Sequence, residues 1–249
     1  MKTRKRFGQH FLHDPGVLKR IVEAVTPARG DHVVEIGPGE GALTRPLLER
    51  LDRLTVIEID RDLAASLAQE FSPQKLTVVV ADVLDFDFSS LPGGLRVIGN
   101  LPYNISTPIL FRLARHAGQV RDLHFMLQKE VVDRMVAKHS TADYGRLSVM
   151  LQVRFAMQKL FKVAPGAFRP PPKVESAVVR LVPLQETLPC DEALFEKIVR
   201  EAFSARRKTL RNALPLAADD YAELGIDPQL RPENLSPADY VRITLCASR

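Results

Sequence analysis

Five short apolar runs punctuate the first half of the chain: HVVEI (32–36), LTVIEI (54–59), LTVVVA (76–81), LRVIGN (95–100) and DLHFML (122–127). Each is rich in β-branched or aromatic residues and nearly continuous in its hydrophobicity, the pattern of a strand covered on both faces. Between them lie amphipathic stretches of helical character near 42–51, 61–71 and 106–117. The last carries Thr107-Pro108 in its first turn, where a missing N–H is harmless. Strand and helix in this alternation imply an α/β architecture, a doubly wound Rossmann-like sheet that is mostly parallel.

After residue 127 the pattern changes. Residues 128–137 and 145–153 read as helices, and 155–163 and 174–182 as strands joined by APGAFRPPPK. A loop of that length, with no helix in it, suits a hairpin, so the sheet is expected to end in an antiparallel pair. PLQETLP (183–189) reads as a linker. Beyond it, helical patterns are stopped by Pro215, Gly225, Pro228, Pro232 and Pro237. Two domains are therefore expected: 1–185, a catalytic α/β domain, and 186–249, a small all-helical one that can hardly bury a full core alone.

The 249 residues include no run of 18 apolar residues, so no membrane span is expected. The N-terminus MKTRKRFGQHF has the charge of a signal peptide but no apolar segment behind it, so a cytoplasmic protein is expected. Cys190 and Cys246 lie far apart and outside any CxxC spacing, and His10 and His13 lack a third ligand nearby, so no metal site is expected. The net charge of +5 is unevenly spread. Lys2, Arg4, Lys5 and Arg6 form one cluster, and Arg206, Arg207, Lys208 and Arg211 a second. Such clusters suit a polyanion, here a nucleic acid. On a helix, Arg207 and Arg211 would share a face.

The first apolar run leads into Glu35-Ile36-Gly37-Pro38-Gly39-Glu40-Gly41 and then a helix-like stretch. A strand, a glycine-rich turn and a helix bring backbone N–H groups close to a ligand. Glu35 precedes the glycines, Glu58 closes the second run and Asp82 follows the third. In a parallel sheet the carboxyl ends of neighbouring strands line one crevice, so the three acids are expected to meet there. Glu58 is placed to accept from two ribose hydroxyls and Asp82 from an adenine amino group. That describes an adenosine pocket without a pyrophosphate clamp, which favours S-adenosylmethionine over a dinucleotide.

The fourth run ends in Asn100-Leu101-Pro102-Tyr103. An exocyclic adenine nitrogen is a poor nucleophile because its lone pair is delocalised into the ring. An amide oxygen from Asn100 and a backbone carbonyl at Leu101 or Pro102 can accept its two N–H bonds and favour a tetrahedral nitrogen. Pro102 stiffens the turn. Tyr103 offers a stacking face for a base taken out of its helix. Catalysis of this kind rests on positioning and electrostatics.

These segments resemble the ribosomal RNA adenine dimethyltransferases, in particular the bacterial small-subunit enzymes whose loss confers kasugamycin resistance. The resemblance runs through KRFGQHFL (5–12), VVEIGPGEGALT (33–44), VIEIDRDL (56–63), DVLDFDF (82–88), NLPYNIS (100–106), FMLQKEVVDRM (125–135), YGRLSVMLQ (144–152), FRPPPKVESAVVRL (168–181) and AFSARRKTLRNAL (202–214). It implies a class I methyltransferase sheet and dimethylation of N6 on two adjacent adenosines in the 3′-terminal hairpin of 16S rRNA. It further implies an assembling small ribosomal subunit as the substrate; the protein is expected to act as a monomer. Carried onto this chain, it implies that Gln9, His10 and Leu12 close over the cofactor, and that Glu35, Gly37 and Gly39 line its methionine side. Glu58 would bind its ribose and Asp82 its adenine with Val83 beside the ring, Ile59 and Asn100 would also belong to the cofactor site, and Asn100 and Tyr103 would hold the target base. Phe168 would stack on the base's other face, and Arg206, Arg207, Lys208 and Arg211 would bind RNA. Family members often carry asparagine where this chain has His10.

Three other readings share the fold. Large-subunit adenine methylases of the antibiotic-resistance type tend to carry isoleucine in place of Leu101 and differ in the RRKTLRN segment. DNA adenine N6-methylases usually carry proline in place of Leu101. A non-catalytic assembly factor could lose Asn100 or a loop glycine without penalty, and both are intact here.

Overall fold

A computed structural model describes residues 10–185 and 189–249. Gln9, the first basic cluster and linker residues 186–188 lie outside the described residues. The elements run β1 (Phe11–Leu12), α1 (Pro15–Val25), β2 (Val33–Ile36), α2 (Thr44–Leu48), β3 (Leu54–Glu58), α3 (Arg61–Glu70), β4 (Leu76–Val80), β5 (Leu95–Asn100), α4 (Ser106–Arg115) and β6 (Val120–Gln128). There follow α5 (Lys129–Met135), α6 (Arg146–Gln152), β7 (Phe155–Val163), β8 (Phe168–Arg169), β9 (Ser176–Pro183), α7 (Glu192–Ser204), α8 (Leu210–Ala213), α9 (Ala218–Leu224) and α10 (Pro237–Ala247).

Seven strands form one sheet in the order β4-β3-β2-β5-β6-β9-β7. The first five are parallel, and β9 runs antiparallel to β6, as expected from the long loop before it. The chain steps outward from β2 through β3 to β4, then returns to place β5 on the other side of β2. The strand order therefore reverses beside β2, and the crevice that such a reversal opens lies at the carboxyl ends of β2 and β5. Central strands are buried on both faces, whereas β4 at the edge is half-exposed because only β3 covers it.

Two features escaped the apolar pattern. α1 begins at Asp14, whose carboxylate accepts from the Val17 N–H at 2.9 Å, with Pro15 in the first helical position. That is a capped start, and Ile21, Val22 and Val25 bury its inner face. β1 and β8 form a separate two-stranded ribbon, too short to leave a periodic signal.

At the amino ends of the strands, Arg96 is almost fully buried. Its Nε and Nη2 grip both oxygens of Asp122 at 2.9 and 2.8 Å, and Nη1 reaches Asp31 at 2.8 Å. The remaining N–H groups reach the carbonyls of Thr26 at 3.2 Å and Val25 at 2.5 Å. All five guanidinium donors are thus engaged, and the last carbonyls of α1 are tied to β5 and β6.

The chain divides into two compact units, 1–132 with 157–183 and 133–156 with 184–249. This departs from the expected boundary at 185/186, because 133–156 cluster with the C-terminal segment. The reason is packing: α6 buries Val149, Met150 and Leu151, and Arg146 and Arg154 pair with Glu196 and Glu192 of α7 at 3.0 and 2.9 Å. Tyr144, Phe203 and Tyr240 then form an aromatic series, with centroids 6.3 and 5.9 Å apart. The short core of a sixty-residue helical segment is completed by this insertion. Among the described residues no helix is long and apolar enough to cross a membrane.

Replacing Arg96 with methionine should cost about 3–5 kcal/mol in urea unfolding, since it strands Asp122 and Asp31 without their cation. A loss below about 1 kcal/mol would show that the buried network contributes nothing beyond its packing.

Candidate active site

The strand register brings the acids together. β2 and β3 pair Ile36 with Ile57, and β3 and β4 pair Glu58 with Val80, so Glu35, Glu58 and Asp82 reach the same edge of the sheet. All three line one cavity of about 270 Å³ in the first unit, with Gly37, Gly39, Ile59, Val83, Asn100, Leu101, Pro102 and Tyr103. His10 and Leu12 of the arm line it too. Every described residue expected at the cofactor or the acceptor base is in this wall except one.

The exception is Phe168. Its side chain is 1% exposed and sits in the core with Leu12, Val163, Ala167 and Val178, outside the cavity. Strand alternation explains this: Phe168 points inward opposite Leu12, while Arg169 points out. The expected stacking face is therefore corrected to a core position.

The glycine turn is built by close approach. Gly39 has φ +58°, and a Cβ there would meet the Phe11 ring at 3.0 Å. Its N–H donates to Glu58 Oε2 at 3.1 Å, and the Asp60 N–H donates to Oε1 at 2.9 Å. Burial pushes the Glu58 carboxyl up, while these N–H groups hold it down. Glu35 accepts from Thr44 Oγ1 at 2.7 Å. Burial, with a smaller contribution from Glu58, raises Glu35 to about 7 against the Thr44 hydrogen bond. Asp82 turns the chain after β4 by accepting from the Leu84 N–H at 2.8 Å.

Asn100 closes β5. Its Nδ2 donates to the His10 carbonyl at 2.9 Å. Leu101 is buried, and its N–H donates to the Met126 carbonyl at 3.2 Å, which fixes the turn against β6. The Tyr103 hydroxyl and Ser176 Oγ lie 2.7 Å apart. Burial raises the Tyr103 phenol despite that bond. Ser176, Thr44 and Phe11 were not singled out from the sequence. Each lies inside a motif segment, next to residues whose chemistry drew the attention.

The second basic cluster belongs to the other unit. The expected shared helical face is corrected: 205–208 form turns between α7 and α8, and only Arg211 is helical. All four side chains are exposed. Arg206 is committed to the Ala142 carbonyl at 2.9 Å and to Glu233 at 3.6 Å.

The family model for ribosomal RNA adenine dimethylases matches residues 1–248. A ribosomal RNA small subunit methyltransferase A of Aromatoleum aromaticum is 60% identical, covering 98% of this chain and 93% of that protein. Its counterpart in Bordetella pertussis is 57% identical, covering 96% and 92%. Among solved structures, a dimethyladenosine transferase from Plasmodium falciparum superposes with a TM-score of 0.83 at 27% identity, covering 95% of this chain and 96% of that one. The 23S rRNA methyltransferase ErmE gives 0.71 at 28% identity, covering 96% and 100%.

The state of Glu35 is open to measurement. Its folded pKa lies above its ordinary value, so its contribution to stability is fully present below about pH 4.5 and is lost as the pH rises through about 7. Glu35→Gln keeps the acceptor for Thr44 and cannot ionise. Its stability relative to the parent should therefore improve by about 2–3 kcal/mol between pH 5 and pH 8 in urea unfolding. A difference that does not change with pH would refute the raised carboxyl.

Proposed function

The chain belongs to the ribosomal RNA adenine dimethylase family, and on that footing we propose that it methylates N6 of two adjacent adenosines in the 3′-terminal hairpin of 16S rRNA, with S-adenosylmethionine as the methyl donor. The observation that carries this reading is the meeting of Glu58, Asp82, Asn100 and Tyr103 in one cavity.

The donor set fits an adenosine-containing cofactor. Glu58 keeps lone pairs beyond those used by two backbone N–H groups, enough to accept from ribose hydroxyls. Asp82 can accept from the adenine amino group, with Val83 and Ile59 as apolar walls. Gly37, Gly39, Glu35, His10 and Leu12 would surround the methionine end; Gln9, the other residue proposed for the cofactor, lies outside the described residues. When bound, the cofactor supplies an electrophilic methyl group on a sulfonium sulfur. Asn100 and a carbonyl at Leu101 or Pro102 accept the two N6 hydrogens and so localise the nitrogen lone pair. Tyr103 supplies the stacking face, and base–aromatic stacking contributes about 1–3 kcal/mol.

The small-subunit reading is supported by the 55–60% identity to small-subunit enzymes over nearly the whole chain. The intact acceptor segment favours catalysis over a purely structural role. We further propose that the protein acts as a monomer on an assembling small subunit, in the cytoplasm, and that residues of the second unit capture the RNA. Arg207, Lys208 and Arg211 are the best placed, because none makes a side-chain hydrogen bond or ion pair among the described residues.

The direct test is to incubate the protein with labelled S-adenosylmethionine and small subunits lacking the modification, then identify the product by digestion and mass spectrometry. N6,N6-dimethyladenosine at two adjacent positions is expected. Asn100→Ala should lower turnover by at least about a hundredfold while cofactor affinity, read by calorimetry, stays within about threefold. Turnover within about tenfold of the parent would remove Asn100 from the acceptor site.

Capture of RNA is tested by Arg207→Ala with Lys208→Ala. The slope of log affinity against log salt for small subunits should become shallower by roughly 0.7–0.9 for each phosphate that is no longer neutralised. Melting temperature should stay at the parent value, since neither side chain is hydrogen-bonded or ion-paired among the described residues. An unchanged slope would sink the phosphate-binding role.

A further inference from the structure

An asparagine amide has two ends of nearly equal shape and opposite chemistry. Only its oxygen can accept from an N6 amino group; a half-turn about Cβ–Cγ would set N–H against N–H. Something must therefore choose the end that faces the base. In this structure Nδ2 of Asn100 donates to the main-chain carbonyl of His10 at 2.9 Å, across 90 residues of sequence. Oδ1 accepts nothing among the described residues, and Asn100 lines the cavity.

The partner belongs to the N-terminal arm and to no element of the seven-stranded sheet. The arm is held in turn by contacts of its own. His10 Nδ1 lies 2.7 Å from the Pro170 carbonyl. Its imidazole leans on the Tyr103 ring, with centroids 5.6 Å apart and planes at 32°. The next residues, Phe11 and Leu12, pair with Arg169 and Phe168, and the His13 N–H donates to the Ala167 carbonyl at 2.9 Å.

We propose that His10 is a positioning residue for the methyl-transfer step: its side chain anchors the arm, and its carbonyl turns the Asn100 oxygen toward the base. The inference rests on the accepting role of Asn100 given above. It concerns the rate at full occupancy, beyond any contact His10 makes with the cofactor. It also explains how asparagine can serve at this position. Its amide nitrogen, like Nδ1 of histidine, is bonded to Cγ, so it can donate to Pro170, whereas alanine cannot.

The test is single-turnover methylation of unmodified small subunits, at saturating S-adenosylmethionine and saturating subunit, with Asn100 side-chain amide resonances followed by NMR. His10→Ala should lower the saturated rate by about tenfold or more, the scale of losing one hydrogen bond, here the one to the Pro170 carbonyl that anchors the arm. His10→Asn should stay within about threefold of the parent. In an Asn100→Ala background, His10→Ala should add nothing further. The Asn100 amide resonances should shift in His10→Ala and return in His10→Asn. A rate loss that vanishes at saturating cofactor, equal losses in the two His10 variants, or unshifted amide resonances would each overturn the proposal. A parent that methylates no adenosine would instead count against the functional reading, and the resonances would still decide the orientation of the amide.

Discussion

The cavity exists because parallel strands finish at one level. In-register pairing of β2 with β3 and β5 sets Glu35 beside Val56 and Ile98, so the residues that follow each strand emerge together. Side chains from the glycine turn, from the end of β3, from the turn after β4 and from the end of β5 then share a wall without any long-range design of their own. The closest tolerance is between β2 and β5. A Cβ on Gly99 would lie 2.6 Å from the Ile36 carbonyl oxygen, which is backbone and cannot yield. Glycine there lets β5 run against β2 up to Asn100, and the acceptor segment begins where that approach ends.

The same strands carry stability at their other end. Arg96 and Asn100 are four residues apart on β5, roughly 13 Å at the rise of a strand. One end holds a saturated buried cation, the other an amide whose oxygen has no protein partner among the described residues. The separation has a physical reason. A buried charge must be fully paired, whereas a site must keep some of its polar atoms unpaired for the substrate. His124, paired with Ile98 of β5 between these two ends, is lowered to about 4 by burial, against the opposing charge of Asp122, so it is neutral at neutral pH.

How much was legible follows from how each signal arises. Buried parallel strands leave continuous apolar runs, so all five were visible within a residue or two. The acids and Asn100 were legible because strand ends at a switch point converge by topology. α1 was missed because its cap, Asp14-Pro15, stands outside the strand alternation, although its capping chemistry is plain in the sequence. Phe168 was misplaced because a two-residue strand has no period to show which way it points. The turn at 205–208 was misread as helix because its residues are good helix formers, and local propensity does not report where a tertiary core stops supporting a helix. The role of 133–156 was hidden for a similar reason. Packing partners across a long insertion leave no trace in composition.

The arrangement of groups bears finally on where a proton can go. A strong base is not among the described groups at Asn100. The Tyr103 phenol is raised by burial and hydrogen-bonded to Ser176, so it stays protonated at neutral pH and can stack but not abstract. Glu35 titrates near neutrality, but one of its oxygens is held by Thr44, and it sits beside Glu58 on the glycine-turn side. That is a place to balance positive charge on a ligand. The chemistry does not require more. Once alkylated, an amino nitrogen is acidic and gives up its proton to water. The work left to the protein is to decide which atoms accept from the nitrogen beforehand, and in what direction. In the proposed role Asn100 would do this, and its Nδ2 is bonded to a carbonyl from outside the sheet, that of His10.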